Sequence, residues 1–432
     1  AHGAGGGGCL PRRVCSCPKM ILLAHPTGNA NVRHAALALA EDELLAEFWT
    51  CVSWNPQSPI ARVVPRGLRE QLARRALPEP VRKLAHHHPW REAGRMLASR
   101  LGWDFPCRHE RGFCSIDAVF RSLDRRVAQR VASARNVKAA YAYEDGAAAT
   151  FEAARAQGLR CIYDLPIGYW RVAHRIYAEE AECEPQWACT LSGMRDSSEK
   201  LARKDRELEL ADTVIVASSF TRQTIQAAPR CPSRVHVIPY GAPAEIAPQD
   251  ERRSGAKLRV FFAGSLGQRK GLSYLLKAVD LVRAGVELTL LGTKVSEDCA
   301  PLNEALARHR WIRTLPHTEV LREMARHDVF VFPSLFEGFG LVLLEAMAQG
   351  LPVIATPHTA APDLIQDGRE GFLVPIRSSE AIAEKLDLLA SDSALLSAMK
   401  IAARATALRC TWDNYHCQLA GAVRSALAPS ST

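Results

Sequence analysis

From Leu258 to Val374 the chain alternates short apolar runs with longer amphipathic ones, a rhythm that few folds accommodate. Leu258–Ala263, Glu287–Leu291, Trp311–Leu315 and Val329–Phe332 read as strands, with Gly271–Ala284, Leu302–Arg308 and Glu319–Arg326 as helices between them. A further helix leads to a strand at Pro352–Ala355, a helical turn at Pro362–Ile365 and a strand at Gly371–Val374. Strands that alternate with helices build a parallel sheet joined by crossover helices. In such sheets ligands sit at the carboxyl ends of the strands.

The first half repeats the theme less cleanly. Met20–Ala24 reads as a strand, followed by the turn His25–Asn31 and a helical run to about Phe48, with Asn29 or Asn31 as its N-cap. Trp49–Trp54, Val137–Tyr143, Leu159–Tyr163, Thr213–Ala217 and Val235–Ile238 are the later strand candidates. The Arg- and Pro-rich stretch 55–136 has no counterpart in this scheme and is expected to be a helical insertion. At 432 residues the chain is too long for one ordinary core. The breaker-rich link from Pro239 to Gly255 separates an expected domain at 20–242 from a second at 256–408, with a final helix at 409–427. Residues 1–19 carry four consecutive glycines and are expected to lie outside the fold, as a disordered or non-native leader.

Composition narrows the function classes. With 47% hydrophobic and 23% charged residues, the chain has the make-up of a soluble globular protein. No apolar stretch reaches the ~18 residues of a membrane-spanning helix. The formal charge of +9 concentrates between Arg62 and Arg100, where ten Lys or Arg face three acids, beside His86, His87, His88 and Trp90. That stretch suits either a solvated helical face or peripheral contact with anionic lipid headgroups. No nucleic-acid-binding motif accompanies it. The thirteen cysteines are scattered, and Cys107, His109 and Cys114 lack the short spacing of a zinc site, so incidental reduced thiols and no metal are expected. Cytoplasmic placement, with contact at the inner membrane face, follows as the expectation.

One segment carries chemistry. After the strand-like run Val329–Phe332 and the breaker Pro333-Ser334 comes Glu337-Gly338-Phe339-Gly340-Leu341, opening a helix that contains Glu345. The first N–H groups of a helix lack partners and carry partial positive charge, so the turn is a ready anion site. Two carboxylates eight positions apart would repel a phosphate unless they face sugar hydroxyls. Together these features suggest a nucleotide-sugar site. The first strand lacks a Gly-x-Gly-x-x-Gly turn, which argues against a dinucleotide-dependent dehydrogenase.

The Glu337-x7-Glu345 spacing resembles the signature of bacterial-type retaining nucleotide-sugar glycosyltransferases of family four. Gly264–Gly271, Val237–Gly241, Ala211–Ser218 and Asp367–Pro375 fall in that family's order, with strong agreement from about Glu199 onward and weak agreement from Asn55 to Asn136. The resemblance implies the GT-B fold: two Rossmann-like α/β domains facing across a cleft, the C-terminal helix crossing back to the first domain. It implies transfer of a hexosyl group from a nucleoside-diphosphate sugar to an acceptor hydroxyl, with retention of configuration, no metal and no cofactor. The acceptor class stays open among glycan, lipid-linked and small-molecule hydroxyls. Lys270 would neutralise the departing diphosphate, with Arg269 beside it. Glu337 would meet the transferred sugar and Glu345 the ribose, while Gly338, Phe339, Gly340 and Leu341 would present backbone N–H groups. Gly28 and Asn31 belong to the first loop. Two departures matter: Ser265 replaces the family's first basic residue, and its N-terminal histidine is absent. Asp164 stands at the matching strand end, with His174 and His25 as other possibilities. An inactive nucleotide-sugar-binding relative and a sugar-nucleotide epimerase are the alternatives.

Overall fold

The structure, a computed structural model, describes residues 20–58, 64, 69, 72–247 and 256–428. The expected leader, residues 248–255 of the link and parts of the basic stretch lie outside the described residues. Contacts divide the chain into two units. The first comprises the residues up to Asp164, Arg206–Val214 and those from Asp413; the second comprises Leu165–Asp205 and Ile215–Trp412.

In the first unit β1 (Ile21–Ala24), β2 (Leu45–Thr50), β3 (Ala85–His87), β4 (Ala139–Tyr143) and β5 (Arg160–Leu165) lie in the order β3-β2-β1-β4-β5, paired in parallel. β6 (Thr213–Val216) follows, with Asp212 N donating to Cys161 O at 2.9 Å. β1 and β4 are buried throughout, as suits strands covered on both faces. Asn29, not Asn31, caps the helix Ala30–Glu41, its side chain accepting from Val32 N. The Asp124 carboxylate accepts from Ala149 N and Thr150 N at 2.9 and 2.8 Å, satisfying orphan donors at the start of the helix Ala148–Ala156. Residues from Asp413, in the last helix Trp412–Leu427, contact the first helix: His416 Nε2 lies 3.1 Å from His34 Nδ1, and Arg424 bonds Asp42.

Two sequence expectations are corrected here. The first helix ends at Glu41, and β2 starts at Leu45 instead of Trp49. A turn with Glu43 at φ +56° stops the helix, and pairing of Ile21 with Leu45 captures residues that a helical period also fits. The 55–136 stretch holds the helices Glu79–Arg82, Trp90–Leu101 and Ile116–Ala132, but it also contributes β3, paired with β2 from Phe48–Ala85 onward. Backbone pairing overrides the poor strand propensity of a His-rich triplet.

The second unit holds β7 (Val235–Val237), whose neighbour Ile238 N donates to Val216 O, and a six-stranded sheet. That sheet comprises β8 (Leu258–Ala263), β9 (Val286–Leu291), β10 (Arg310–Ile312), β11 (Val329–Phe332), β12 (Val353–Ala355) and β13 (Gly371–Leu373) in the order β10-β9-β8-β11-β12-β13. All pairs are parallel. Phe261, Phe262, Phe330 and Phe332 fill its core. The nearly all-apolar helix Leu341–Ala348 is buried accordingly and packs on Ser393–Arg409, while Leu272–Leu281 packs on Ser379–Ser391. Strand order reverses between β8 and β11, so the loops after these two strands flank the topological switch point.

Candidate functional site

The loop after β8 runs through Gly264 to a single 3-10 turn, Gln268–Lys270, closed by Gly271 at φ +69°. A Cβ at Gly271 would lie 2.0 Å from Pro333 O, so glycine is the residue that lets this turn abut the loop after β11. That contact brings the predicted cations to the predicted acid. Lys270 Nζ lies 2.5 Å from Glu337 Oε1, and Arg269 Nη1 bonds the same oxygen and donates to Phe336 O at 3.1 Å. Both neighbours in sequence therefore reach one carboxylate, although Ser265 offers no charge. Two cations against one carboxylate leave one net positive charge at the carboxyl ends of β8 and β11.

Burial sets the protonation of this cluster. It pulls the Lys270 ammonium down to about 8; Glu337 opposes that shift and Arg269 adds to it. Nζ also sits 4.5 Å above the Phe332 ring, a cation–π contact that favours the charged form. Burial opposes ionisation of Glu337, but Lys270 and Arg269 outweigh it and hold the carboxyl below its ordinary range.

The Glu337–Gly340 turn is fixed from beneath. Ser218 Oγ and Thr221 Oγ1 donate to Gly338 O, the latter at 3.0 Å. A Cβ at Gly338 would come within 1.8 Å of Pro166 O. Phe339 is buried with its ring 5.1 Å from that of Tyr240, and Gly340 at φ +81° admits the helix starting at Leu341. Glu345 lies about a turn inside that helix, its Oε1 2.9 Å from His317 Nε2. The hydrogen bond to Glu345 holds the His317 imidazole above its ordinary range despite partial burial.

Sequence reasoning missed Glu180. Its fully buried carboxylate accepts from Gln268 Nε2 at 2.7 Å, Tyr274 Oη at 3.0 Å and Arg377 Nε at 2.7 Å. Those bonds anchor the turn that carries Arg269 and Lys270. Glu180 lies in a run of ordinary helical acids, Glu179-Glu180-Ala181-Glu182, so nothing local marks it.

Within the first unit, β1 and β4 flank the equivalent switch point. Gly28, at φ +55°, sits in the loop after β1, and Asn31 lies in the first turn of the following helix. His25 Nδ1 accepts from Thr27 N and Gly28 N, both at 3.1 Å, and burial drives its pKa down to about 3. It shapes the loop as a neutral imidazole. Asp164 is buried near the end of β5 and accepts from Tyr141 Oη at 2.7 Å. Burial pushes it up to about 7, although the tyrosine hydrogen bonds pull the other way. Glu207, a second buried acid that the sequence did not mark, accepts from Asp145 N and Ala147 N and shapes the loop after β4. His174 lies in the second unit, edge-on to Trp170.

Two parallel-sheet α/β units, each with its own switch point, define the class: paired Rossmann-like units of the GT-B type. Across 94% of this chain and 98% of the other, the fold matches sucrose-phosphate synthase from Thermosynechococcus elongatus, with a TM-score of 0.65 at 17% identity. Anabaena HepE, solved with UDP and glucose, gives a TM-score of 0.61 at 18% identity, over 94% of this chain and all of the other. Residues 257–392, which carry the Lys270–Glu337 cluster and Glu345, match the family model described as Glycosyl transferases group 1. The chain is 30% identical over 213 residues to alpha-maltose-1-phosphate synthase of Mycolicibacterium smegmatis, covering 44% of this chain and 55% of that protein. It thus spans about half the length of that curated relative.

Proposed function

We propose that the chain transfers a hexosyl group from a nucleoside-diphosphate sugar to an acceptor hydroxyl, with retention of configuration and without a metal. The observation that carries this reading is the meeting of Arg269 and Lys270 on the Glu337 carboxylate at the β8/β11 switch point. Diphosphate oxygens entering there gain two cations, the buried Lys270 and the half-buried Arg269. Their attraction strengthens as negative charge develops on the leaving group, so it lowers the barrier and does not merely tighten binding. Glu337 meets the sugar hydroxyls and Glu345 the ribose diol, exchanging its His317 contact for two hydroxyl donors. The amides of Gly338–Leu341 face the anion. Attack on the front face, assisted by the departing phosphate, accounts for retention. In the first unit Gly28 and Asn31 contribute through the loop after β1, and Asp164 supplies the carboxyl group at the rim. The acceptor is a glycan, a lipid-linked sugar or a small molecule. We place the protein on the cytoplasmic side, with peripheral contact between its basic stretch and anionic membrane.

The test is a melting-temperature panel of nucleotide sugars, UDP-sugars first because HepE was solved with UDP, followed by product analysis with added acceptors. A ligand that binds only the folded state raises the melting point by mass action. The expected result is one nucleotide sugar that stabilises and is consumed, with the anomeric configuration kept in the product. Stabilisation with no turnover on any acceptor supports an inactive binder, and release of an epimer supports an epimerase. No stabilisation by any nucleotide refutes the donor site.

A further inference from the structure

The first unit exposes apolar side chains where a helix should turn them inward. In the helix Trp90–Leu101, positions 90, 93, 97 and 101 share one face, and Trp90, Ala93, Leu97 and Leu101 there are all exposed. Trp90 is 79% exposed. The opposite face is the inner one: Glu92 and Ala98 are buried, and Arg75 and Arg95 hold the Glu92 carboxylate. The loop that follows packs against the helix, with Cys114 Sγ 2.7 Å from where a Cβ at Gly94 would lie. It adds Trp103, Phe105 and Phe113, the last two 72% and 69% exposed. Seven of the large exposed apolar side chains in the described residues thus fall between Trp90 and Ile116. Single exposed apolar groups are ordinary, but seven gathered in one helix and the segment packed on it mark an interaction surface.

Its chemistry selects the partner. Guanidinium groups interleave with the rings: Arg91 lies 4.0 Å over Phe113 and Arg108 lies 5.0 Å over Phe105, with Arg100 and Arg111 alongside. Of the three acids between Trp90 and Ile116, Glu92 is buried and neutralised by Arg75 and Arg95; Asp104 is exposed and Glu110 half-buried, and Arg91, Arg100, Arg108 and Arg111 outnumber them. Trp and Phe beside Arg, on a helix with an outward apolar stripe, suit the boundary between headgroups and acyl chains. No described helix is long and apolar enough to cross a membrane, so the segment would lie in the surface plane. We propose that this face seats in the headgroup layer of an anionic lipid bilayer, aromatic rings inward and arginines on the phosphates. The inference rests on the peripheral contact proposed above and names the surface that makes it.

The test is co-sedimentation of the full chain with phosphatidylcholine vesicles, with and without about one-third phosphatidylglycerol. Wild type should bind the anionic vesicles only. Trp90→Ser with Phe113→Ser should weaken that binding at least about tenfold, since each ring loses its apolar burial. Trp90→Phe with Phe113→Leu should restore most of it. All variants should keep the wild-type melting point and nucleotide-induced shift, which separates failure of this surface from failure of the donor site. Anionic binding that the serine pair leaves intact overturns the inference and leaves contact to the basic stretch alone. Wild-type binding to neither vesicle overturns both. A wild-type dimer that the serine pair dissociates, with no vesicle binding, assigns the face to a second copy instead.

Discussion

The Lys270 ammonium should make donor binding depend on pH in a range where the donor's diphosphate does not titrate. Its pKa of about 8 in the unliganded protein follows from burial, offset in part by Glu337. A diphosphate binds the protonated form, so the apparent dissociation constant rises as the lysine loses its proton. The factor is about twofold at pH 8 and about elevenfold at pH 9, relative to pH 6.5, for a group with that pKa. Binding at pH 8 should also take up about half a proton per site, read by calorimetry in buffers of different ionisation enthalpy. Lys270→Arg should flatten the profile, because a guanidinium stays charged throughout. Lys270→Met should bind weakly at every pH, by about 10- to 150-fold, from the 1.5–3 kcal/mol of a charge-assisted contact. A wild-type affinity that is level from pH 7 to 9, or an unchanged slope in Lys270→Arg, would falsify the assignment of Lys270 to the diphosphate.

Glu345→Ala should lower kcat/KM for the donor by about 10- to 150-fold, the cost of two charge-assisted bonds to a diol, and unchanged kinetics would remove it from the site. Gly338→Ala forces a Cβ to within 1.8 Å of Pro166 O, so the turn must shift; a stability loss of about 1–3 kcal/mol with lost donor binding is expected, and a neutral substitution refutes the packing. Asp164 has a folded pKa of about 7, above its value of 3.8 in an unfolded chain. The native state therefore holds the extra proton between those values, and stability falls as pH rises through that window, by at most about 4 kcal/mol. Asp164→Asn should make the slope shallower in chemical denaturation between pH 4 and 7, the rest belonging to Glu207, which burial pushes up to about 8; an identical slope in the variant would assign all of it to other groups.

The second sheet was legible because its elements are local: apolar runs such as Val329–Phe332 and helices such as Leu341–Ala348 announce themselves within a few residues. The cluster was legible for the same reason, since Lys270 and Glu337 each sit in a short patterned turn after a buried strand. What escaped notice depends on distant partners. Glu180 answers Gln268, Tyr274 and Arg377, and Glu207 answers Asp145 and Ala147, across separations that no local period encodes. β2 and β3 were misplaced for a related reason: Leu45 and Ala85 become strand residues only through their neighbours β1 and β2. The basic stretch that includes Trp90 suits a solvated helical face or a lipid contact alike, and its apolar stripe is recognised only once the fold shows which side of Trp90–Leu101 the core occupies.

Because Leu165–Asp205 counts with the second unit, and Arg206–Val214 and the residues from Asp413 count with the first, the polypeptide changes allegiance four times. On a ribosome, the first unit would begin to emerge before the second and yet be completed after it, waiting for the residues from Asp413. Neither unit can be excised as one continuous fragment, and a break anywhere between Leu165 and Trp412 divides the residues of both between two pieces.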